Sequence, residues 1–341
     1  MAAVEIDTVA TTRRRSHSLL AAFLVPLTAA TVAWLCASFF YLGDLITFFL
    51  PVLTVASLLL LALAAIFRQR GAFVIALVLS VVNCWPVLAP VPSSSASASG
   101  PDIRVATSNV LGSRWNYDSL IKWSISSGVD VLGQQEVHAH TLSLLAPLGQ
   151  HFPSVPPQEV IGRDPEVTAW STWKILKAIR VTKDMPIPED GWGGQALRLE
   201  LAPPGLADAA NPSPKVVVYV LHPSTPRSEA QWQFRNLYLE IVARAIAAEP
   251  PGTPIVVLGD FNTPTWSPFY RRFMADTGLV DVAGTNWPSV TRFARRFRSF
   301  FHFGAPVDHI LVSPQIEVRT FELGPDIESD HLPVIADLRL P

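Results

Sequence analysis

The chain has 341 residues, 49% hydrophobic and 16% charged, with a formal net charge of −2 and two cysteines. That length holds one large domain or two, and the near-neutral charge argues against a protein that grips long nucleic acid through a basic surplus. Cys36 and Cys84 both fall in the first ninety residues, so the remainder has neither a disulfide framework nor a thiolate zinc site.

After an N-terminal tail, residues 1–18, come three apolar runs at about 19–42, 45–67 and 72–90. Each reaches the roughly 20 residues that a helix needs to cross a hydrocarbon core of about 30 Å, which predicts three transmembrane helices. Arg13, Arg14 and Arg15 precede the first run, and Arg68 and Arg70 lie between the second and third, while the turn YLGD carries only Asp44. Short cytoplasmic loops retain Lys and Arg, so the tail is expected in the cytoplasm and everything after the third run on the far side of the cell membrane. The alternative is that the third run, the shortest and interrupted by Asn83 and Pro86, is re-entrant and leaves the C-terminal part inside. A cleaved signal peptide fits less well, since its apolar core would be shorter and would not be followed by two more runs.

The segment VPSSSASASG, 91–100, is small and polar without periodicity, as expected of a flexible linker. The first hundred residues hold five of the 26 basic and three of the 28 acidic residues, leaving 21 against 25 and a net charge of −4 for residues 101–341.

That second part opens with DIRVATSNV (102–110), a β-branched alternating run that reads as a strand with Asn109 at its end. A helical spacing follows over 116–126, then a strand over 129–137 that ends near Glu136. The cluster RDPEVTAWSTWKILK, 163–177, is Trp-rich and reads as a half-buried insertion without an assigned role. KVVVYVLHP (215–223) is a strand ending at His222, where Pro223 discourages further pairing. An amphipathic helix spans 228–248 and leads to the strand 255–259 and Asp260. Another helix is expected around 267–276, a strand over 306–313 with Asp308 near its start, and a last strand at about 333–339 after Asp330 and His331. Strands and helices in this order argue for an α/β or α+β layered domain.

Asn109, Glu136, His222, Asp260 and Asn262 all fall at strand exits, where a rigid sheet presents its chemistry. Singly, each has an ordinary reading: a turn cap for Asp260, an Asx turn before Pro264 for Asn262, a solvated side chain for His222 or Glu136. Jointly they offer carboxylates (Glu136, Asp260, Asp308, Asp330), amides (Asn109, Asn262) and imidazoles (His222, His331). Hard oxygen donors with few nitrogens and no thiols suit Mg²⁺ or Mn²⁺ better than Zn²⁺. In GDFN, side chains two apart project to the same side, so Asp260 and Asn262 could meet a water and a phosphate oxygen together.

The order Asn109, QxE at 134–136, LHP at 221–223, GDFN at 259–262, VDH at 307–309 and SDHLPV at 329–334 resembles the endonuclease/exonuclease/phosphatase superfamily, and most of all its membrane-anchored bacterial branch. The resemblance covers essentially all of 101–341. It implies a four-layer α/β (α+β) sandwich with two central mixed β-sheets, placed behind the N-terminal three-helix transmembrane region. It also implies roles: Glu136 as principal metal ligand with Asn109 and Asp330 supporting it, Asp260 orienting and deprotonating the attacking water, and Asn262 holding that water or a phosphate oxygen. His331 would contact the phosphate, Asp308 would hold that imidazole in its charged form, and His222 would donate to the phosphoryl oxygen. Some members carry an acid two residues after the first Asn; Leu111 stands there instead, which favours one Mg²⁺ (or Mn²⁺) ion over two.

Two further features bear on substrate. TRFARRFRSFFHFG, 291–304, interleaves Arg292, Arg295, Arg296 and Arg298 with five phenylalanines, and is expected as a loop or hairpin beside the site. It could enter a membrane interface with its arginines on lipid phosphates, hold single-stranded nucleic acid, or be a helix with an Arg-rich solvated face. Arg227, Arg235 and Asn236 could approach the same phosphate as His222, or form an ordinary helix surface. The reading reached is a membrane-anchored, metal-dependent phosphoesterase that hydrolyses a phosphodiester, with the lipid bilayer and a phosphate-ester substrate as partners. The alternatives are an extracytoplasmic nuclease and, in another class, a non-catalytic binding or sensor module on the same fold.

Overall fold

The structure, a computed structural model, describes residues 20–89, 94, 96–185, 193–205, 216–284, 290–293 and 304–341, and the chain divides into two compact units, Met1–Ala89 and Pro90–Pro341.

In the first unit the helices are α1 (Leu20–Leu35), α2 (Tyr41–Thr47), α3 (Leu50–Ile66) and α4 (Arg70–Leu88). Among the described residues only α4, with a mean hydropathy of 2.1 over its most apolar window, is long and apolar enough to cross a membrane; α2 and α3 supply a second crossing if the pair is one span. The 19 residues of α4 extend for about 28 Å. The interruption therefore falls elsewhere than the sequence suggests. The third run is continuous through Asn83 and Pro86, whereas α2 and α3 meet at 72°. Close packing accompanies the bend: a Cβ on Gly43 of α2 would lie 2.5 Å from the Ala33 carbonyl oxygen of α1, and Pro51 begins α3. Asn83 is a cross-link between helices. Its Oδ1 accepts from Trp34 Nε1 (2.9 Å), its Nδ2 donates to Thr31 Oγ1 (3.1 Å), and its backbone carbonyl accepts from Thr54 Oγ1 (2.9 Å).

The second unit runs β1 (Asp102–Asn109), α5 (Asp118–Ser126), β2 (Val131–Gln135), α6 (Ala139–Leu144), α7 (Gln158–Ile161), β3 (Val167–Ser171), β4 (Lys174–Arg180), β5 (Gln195–Ala202), β6 (Val216–His222), α8 (Glu229–Ala247), β7 (Ile255–Asp260), α9 (Pro268–Thr277), β8 (Val280–Asp281), β9 (Asp308–Val312), β10 (Glu317–Leu323) and β11 (Val334–Arg339). Two mixed sheets result, ordered β10-β11-β1-β2-β3 and β4-β5-β6-β7-β9-β8, with β1 parallel to β2 in one, β6 parallel to β7 in the other, and all other pairs antiparallel.

Period-two alternation separates the layers. Along β6, Val216, Val218 and Val220 enter the core shared by the two sheets, while Val217, Tyr219 and Leu221 pack under α8 with Tyr238 and Val242. Ala106 and Leu132 face the third cluster, with Leu120 and Trp123 of α5. Helix, sheet, sheet and helix follow in turn, so strands covered on both faces read as continuous apolar runs. Each fully buried Val or Leu contributes about 1.5–3 kcal/mol. The sheets approach closely at Gly133, where a Cβ would lie 3.1 Å from Val220 Cγ1. Ser228 caps α8 by accepting from Gln231 N, while Ser267 and Pro268 start α9 and Gly278, in the left-handed region, ends it.

The Trp-rich 163–177 segment is not an insertion. It supplies β3 to the edge of one sheet and β4 to the edge of the other, with Trp173 buried between them and Trp170 Nε1 donating to Gln134 Oε1 at 2.7 Å. Part of the expected linker is also ordered by the second unit: Ser94 Oγ donates to Ile316 O (2.6 Å), Ala98 N to Glu317 Oε2 (2.9 Å) and Gly100 N to Leu340 O (2.9 Å).

Candidate active site

Strand direction gathers the site at one edge. The parallel pair β1 and β2 ends at Asn109 and Gln135, the parallel pair β6 and β7 ends at His222 and Asp260, and the antiparallel β9 starts at Asp308, directly across from Asp260. Antiparallel β11 enters from the same edge, three residues after His331. Carboxyl ends of parallel strands and amino ends of their antiparallel neighbours therefore coincide.

Asn109 joins the two sheets. Its Nδ2 donates to Glu136 Oε1 (3.0 Å) and, across the interface, to Asp260 Oδ2 (3.0 Å), and its Oδ1 accepts from Leu111 N (3.0 Å). The Ser329 hydroxyl donates to the Asn109 carbonyl (2.8 Å), which brings the SDH segment alongside. Asp260 Oδ1 accepts from Asn262 N at 2.8 Å. His331 stands between two acids, with Nδ1 2.8 Å from Asp308 Oδ2 and Nε2 3.7 Å from Asp260 Oδ2. The first is a hydrogen bond and the second leaves room for another acceptor.

Electrostatics follow from this geometry. Burial opposes charge on His331, but the Asp308 and Asp260 carboxylates overcome it and raise its pKa to about 9, so the ring is an imidazolium at neutral pH. Burial likewise pushes Asp260 up, yet His331, His222, Arg292 and the Asn262 N–H hold it below the ordinary carboxyl range. Asp308 is raised by burial and by the charge on Asp260.

Glu136 and Asn262 sit at φ of +57° and +46°. Such backbone is uncommon outside glycine, costs about 1–3 kcal/mol, and persists where surrounding structure enforces it. Asn262 is enforced on every side: Oδ1 accepts from Thr225 Oγ1 (3.1 Å) and Arg292 Nη1 (3.3 Å), Nδ2 donates to Pro223 O (3.0 Å), and its carbonyl accepts from Arg235 Nη1 (3.3 Å).

Behind this loop lies a buried network that sequence reasoning missed. Tyr270 OH donates to Asp281 Oδ2, which also meets His309 Nδ1 (3.2 Å), and His309 Nε2 faces the Thr263 carbonyl (3.2 Å). Burial would raise Asp281, but its bonds to His309, Tyr270 and the Ala283 N–H outweigh it and lower its pKa. A depressed folded-state pKa adds stability that is present above the unfolded value of about 4 and is lost as pH falls through the folded value. Asp281→Asn is therefore expected to cost about 1–3 kcal/mol at pH 7, with a shallower loss of stability below about pH 4. Urea unfolding of the detergent-solubilised chain at several pH values checks this; parallel acid slopes for wild type and variant would refute it.

The predicted substrate residues separate. Arg227 lines a cavity of about 220 Å³ with Glu136 and His222. Arg235 is fully buried, with its guanidinium 5.3 Å from the Phe269 ring centroid and bonded to Asn262 O and Asn236 Oδ1, so it braces the GDFN loop. Asn236 lines a separate groove between α8 and α9. Arg295 and Arg296 lie outside the described residues. Arg292 stands in the site instead, where its backbone bridges both Ala305 and His331. Of the Phe/Arg stretch, the described residues at its start pair beside His331. The only available signal was its place as the first arginine of that stretch.

The donor set fits a hard divalent cation. Glu136 faces the cavity, Asn109 is fixed against it, and Asp330 keeps a buried Oδ1 without a hydrogen-bond partner. Asp260, Asp308 and His331 form a tighter group, with potential ligand atoms within 4.8 Å of one another.

A family-wide sequence profile, that of the Endonuclease/Exonuclease/phosphatase family, matches residues 106–331. No curated protein matches the chain. Similar solved structures include sphingomyelinase C from Streptomyces griseocarneus (18% identity, TM-score 0.52, 70% of this chain and 99% of that one) and an endonuclease/exonuclease/phosphatase from Bacteroides vulgatus (18%, 0.54, 71% and 100%). The human Nocturnin catalytic domain with bound sulfate is a third (18%, 0.52, 72% and 97%). At these identities the likeness is one of fold.

Proposed function

The chain belongs to the endonuclease/exonuclease/phosphatase family, whose members are metal-dependent phosphoester hydrolases, and from that premise we propose a membrane-tethered phosphodiesterase acting on a lipid headgroup or a small phosphorylated substrate at the bilayer surface. The observation that carries this reading is the charged His331 held between Asp308 and Asp260 at the strand ends. Asp260, ionised and fixed by Asn109 and Asn262, orients a water toward phosphorus; its depressed pKa makes it a weak base, so alignment is its larger contribution. The water oxygen bonds to phosphorus as the bond to the leaving alcohol breaks, and the water's proton passes toward Asp260. His331 and Arg292 offset the charge that develops on the phosphoryl oxygens, and His222 donates from the neighbouring strand end. Glu136, Asn109 and Asp330 would hold one Mg²⁺ or Mn²⁺, which supplies further neutralisation of that charge.

The balance of charge favours a diester. Even with one divalent cation bound, Asp260, Asp308, Glu136, Asp330 and Glu166 balance His331, Arg292, Arg227 and the ion without a positive surplus, and a diester brings one negative charge where a monoester brings up to two. The apolar α4 supports the tether, and the arginine distribution supports placing the catalytic unit outside the cytoplasm.

The test is hydrolysis by the detergent-solubilised full chain with Mg²⁺ or Mn²⁺. Bis-nitrophenyl phosphate should be cleaved faster than nitrophenyl phosphate, phospholipid vesicles should be cleaved in preference to single-stranded DNA, and chelation should abolish activity. Faster cleavage of DNA would replace this reading with the nuclease; no cleavage of any of them would leave the binding module.

A further inference from the structure

The cavity beside the catalytic centre holds a carboxylate that the mechanism does not use. Glu166 lies just before β3, with its carbonyl accepting from Val137 N (3.2 Å), one residue beyond Glu136, and its own N–H donating to Gln195 Oε1 (3.2 Å). Its Oε1 accepts from Gly193 N at 2.7 Å. Gly193, at φ +90°, leaves no space for a side chain: a Cβ would lie 2.8 Å from Ser224 N, two residues beyond His222. The backbone at Gly193 is thus wedged between Glu166 and the end of β6.

Two polar atoms of residues lining this cavity have no hydrogen-bond partner among the described residues. Glu166 Oε2 is buried and accepts no hydrogen bond from the described residues, and the Nδ1 of His222, which is 5% exposed, meets no partner among them. A buried carboxylate oxygen left unsatisfied is a cost that native structures rarely carry without a use. The terminal torsion of a glutamate is soft, so the carboxylate turns toward an entering donor while keeping its bond to Gly193. The cavity, about 220 Å³, is lined by Glu136, His222 and Glu166 together, so the alcohol of a diester bound between the first two shares its space with the Glu166 carboxylate.

Resting on the phosphodiesterase reading, we propose that Glu166 selects substrates in which an alcohol of the diester carries a hydrogen-bond donor, a hydroxyl or an ammonium. The acceptor is anionic and lies in a cavity walled by protein, so an ester lacking the donor leaves it desolvated and unpaired. That asymmetry is what makes polar recognition selective.

The experiment compares the 4-nitrophenyl phosphodiesters of propanol, propane-1,3-diol and 3-aminopropanol on the full chain with its metal. Wild type should show kcat/KM at least about tenfold higher for the hydroxyl and amino esters than for the propyl ester. Glu166→Ala should remove both preferences. Glu166→Gln, which keeps an acceptor for Gly193 N, should retain the hydroxyl preference and lose the amino one if charge is what recognises ammonium. Equal wild-type rates on all three esters, or an unchanged ratio in Glu166→Ala, would overturn the selectivity while leaving the phosphodiesterase standing. Failure to cleave any of the three would overturn both.

Discussion

Asp260→Asn is expected to lower kcat for bis-nitrophenyl phosphate by about a thousandfold, the scale of losing the group that aligns the water and receives its proton. The reason lies in what surrounds the carboxylate. Asn109 Nδ2 and Asn262 N both donate to it, and His331 Nε2 stands at 3.7 Å, so every neighbour presents hydrogen to it. An amide keeps the shape but turns an NH₂ group toward donors on one side and removes the charge that supports the imidazolium. The water loses its acceptor and His331 loses one of two counter-charges. Steady-state kinetics with a matched thermal unfolding curve would show this. A variant within tenfold of wild type while fully folded would mean that Asp260 does not handle the water.

His331→Ala is expected to lose a similar factor, about a thousandfold, and Asp308→Asn a smaller one of about a hundredfold, with the double variant no worse than His331→Ala alone. Asp308 acts through the ring: its Oδ2 fixes Nδ1 at 2.8 Å and helps keep the proton on it, so it has nothing to contribute once the ring is gone. Removing a ring that is 2% exposed leaves Asp260 and Asp308 facing each other without the cation between them, so the alanine variant also loses stability. His331→Gln, which keeps most of the volume and a donor, separates the two effects: it should fold better than alanine yet stay at least a hundredfold impaired. Additive losses in the double variant would show that Asp308 has a separate role.

Much of the second unit was legible in the chain because its strands are covered on both faces. β6 reads as VVVYVLH, and its observed span differs from the expected 215–223 by one residue at each end. GDFN and SDHLPV were legible for a related reason: a polar residue directly after a buried apolar run has to emerge at the strand's end, and that is a local property. β3 and β4 were not legible, since β4 alternates between exposed and half-buried positions at a sheet edge and gives no clean period. In the first unit, apolar composition announced three spans and marked the third, interrupted by Asn83 and Pro86, as the one that could be re-entrant. The bend between α2 and α3 accompanies a close approach of Gly43 to Ala33, which no single run encodes.

The candidate site divides in the same way. Asn109, Glu136, His222, Asp260, Asp308 and His331 were each visible as polar residues at strand ends. That Asn109 would reach across to Asp260, that Arg235 would turn inward to Asn262 while Arg292 took the place beside the catalytic groups, and that Asp281 and His309 would brace the loop from behind were not. The sequence by itself determined which side chains leave the sheets at an edge, because burial and alternation act within a few residues of one another. Only the tertiary structure decided which of them meet, because those contacts join segments up to 151 residues apart through sheet pairing and the packing of one sheet on the other.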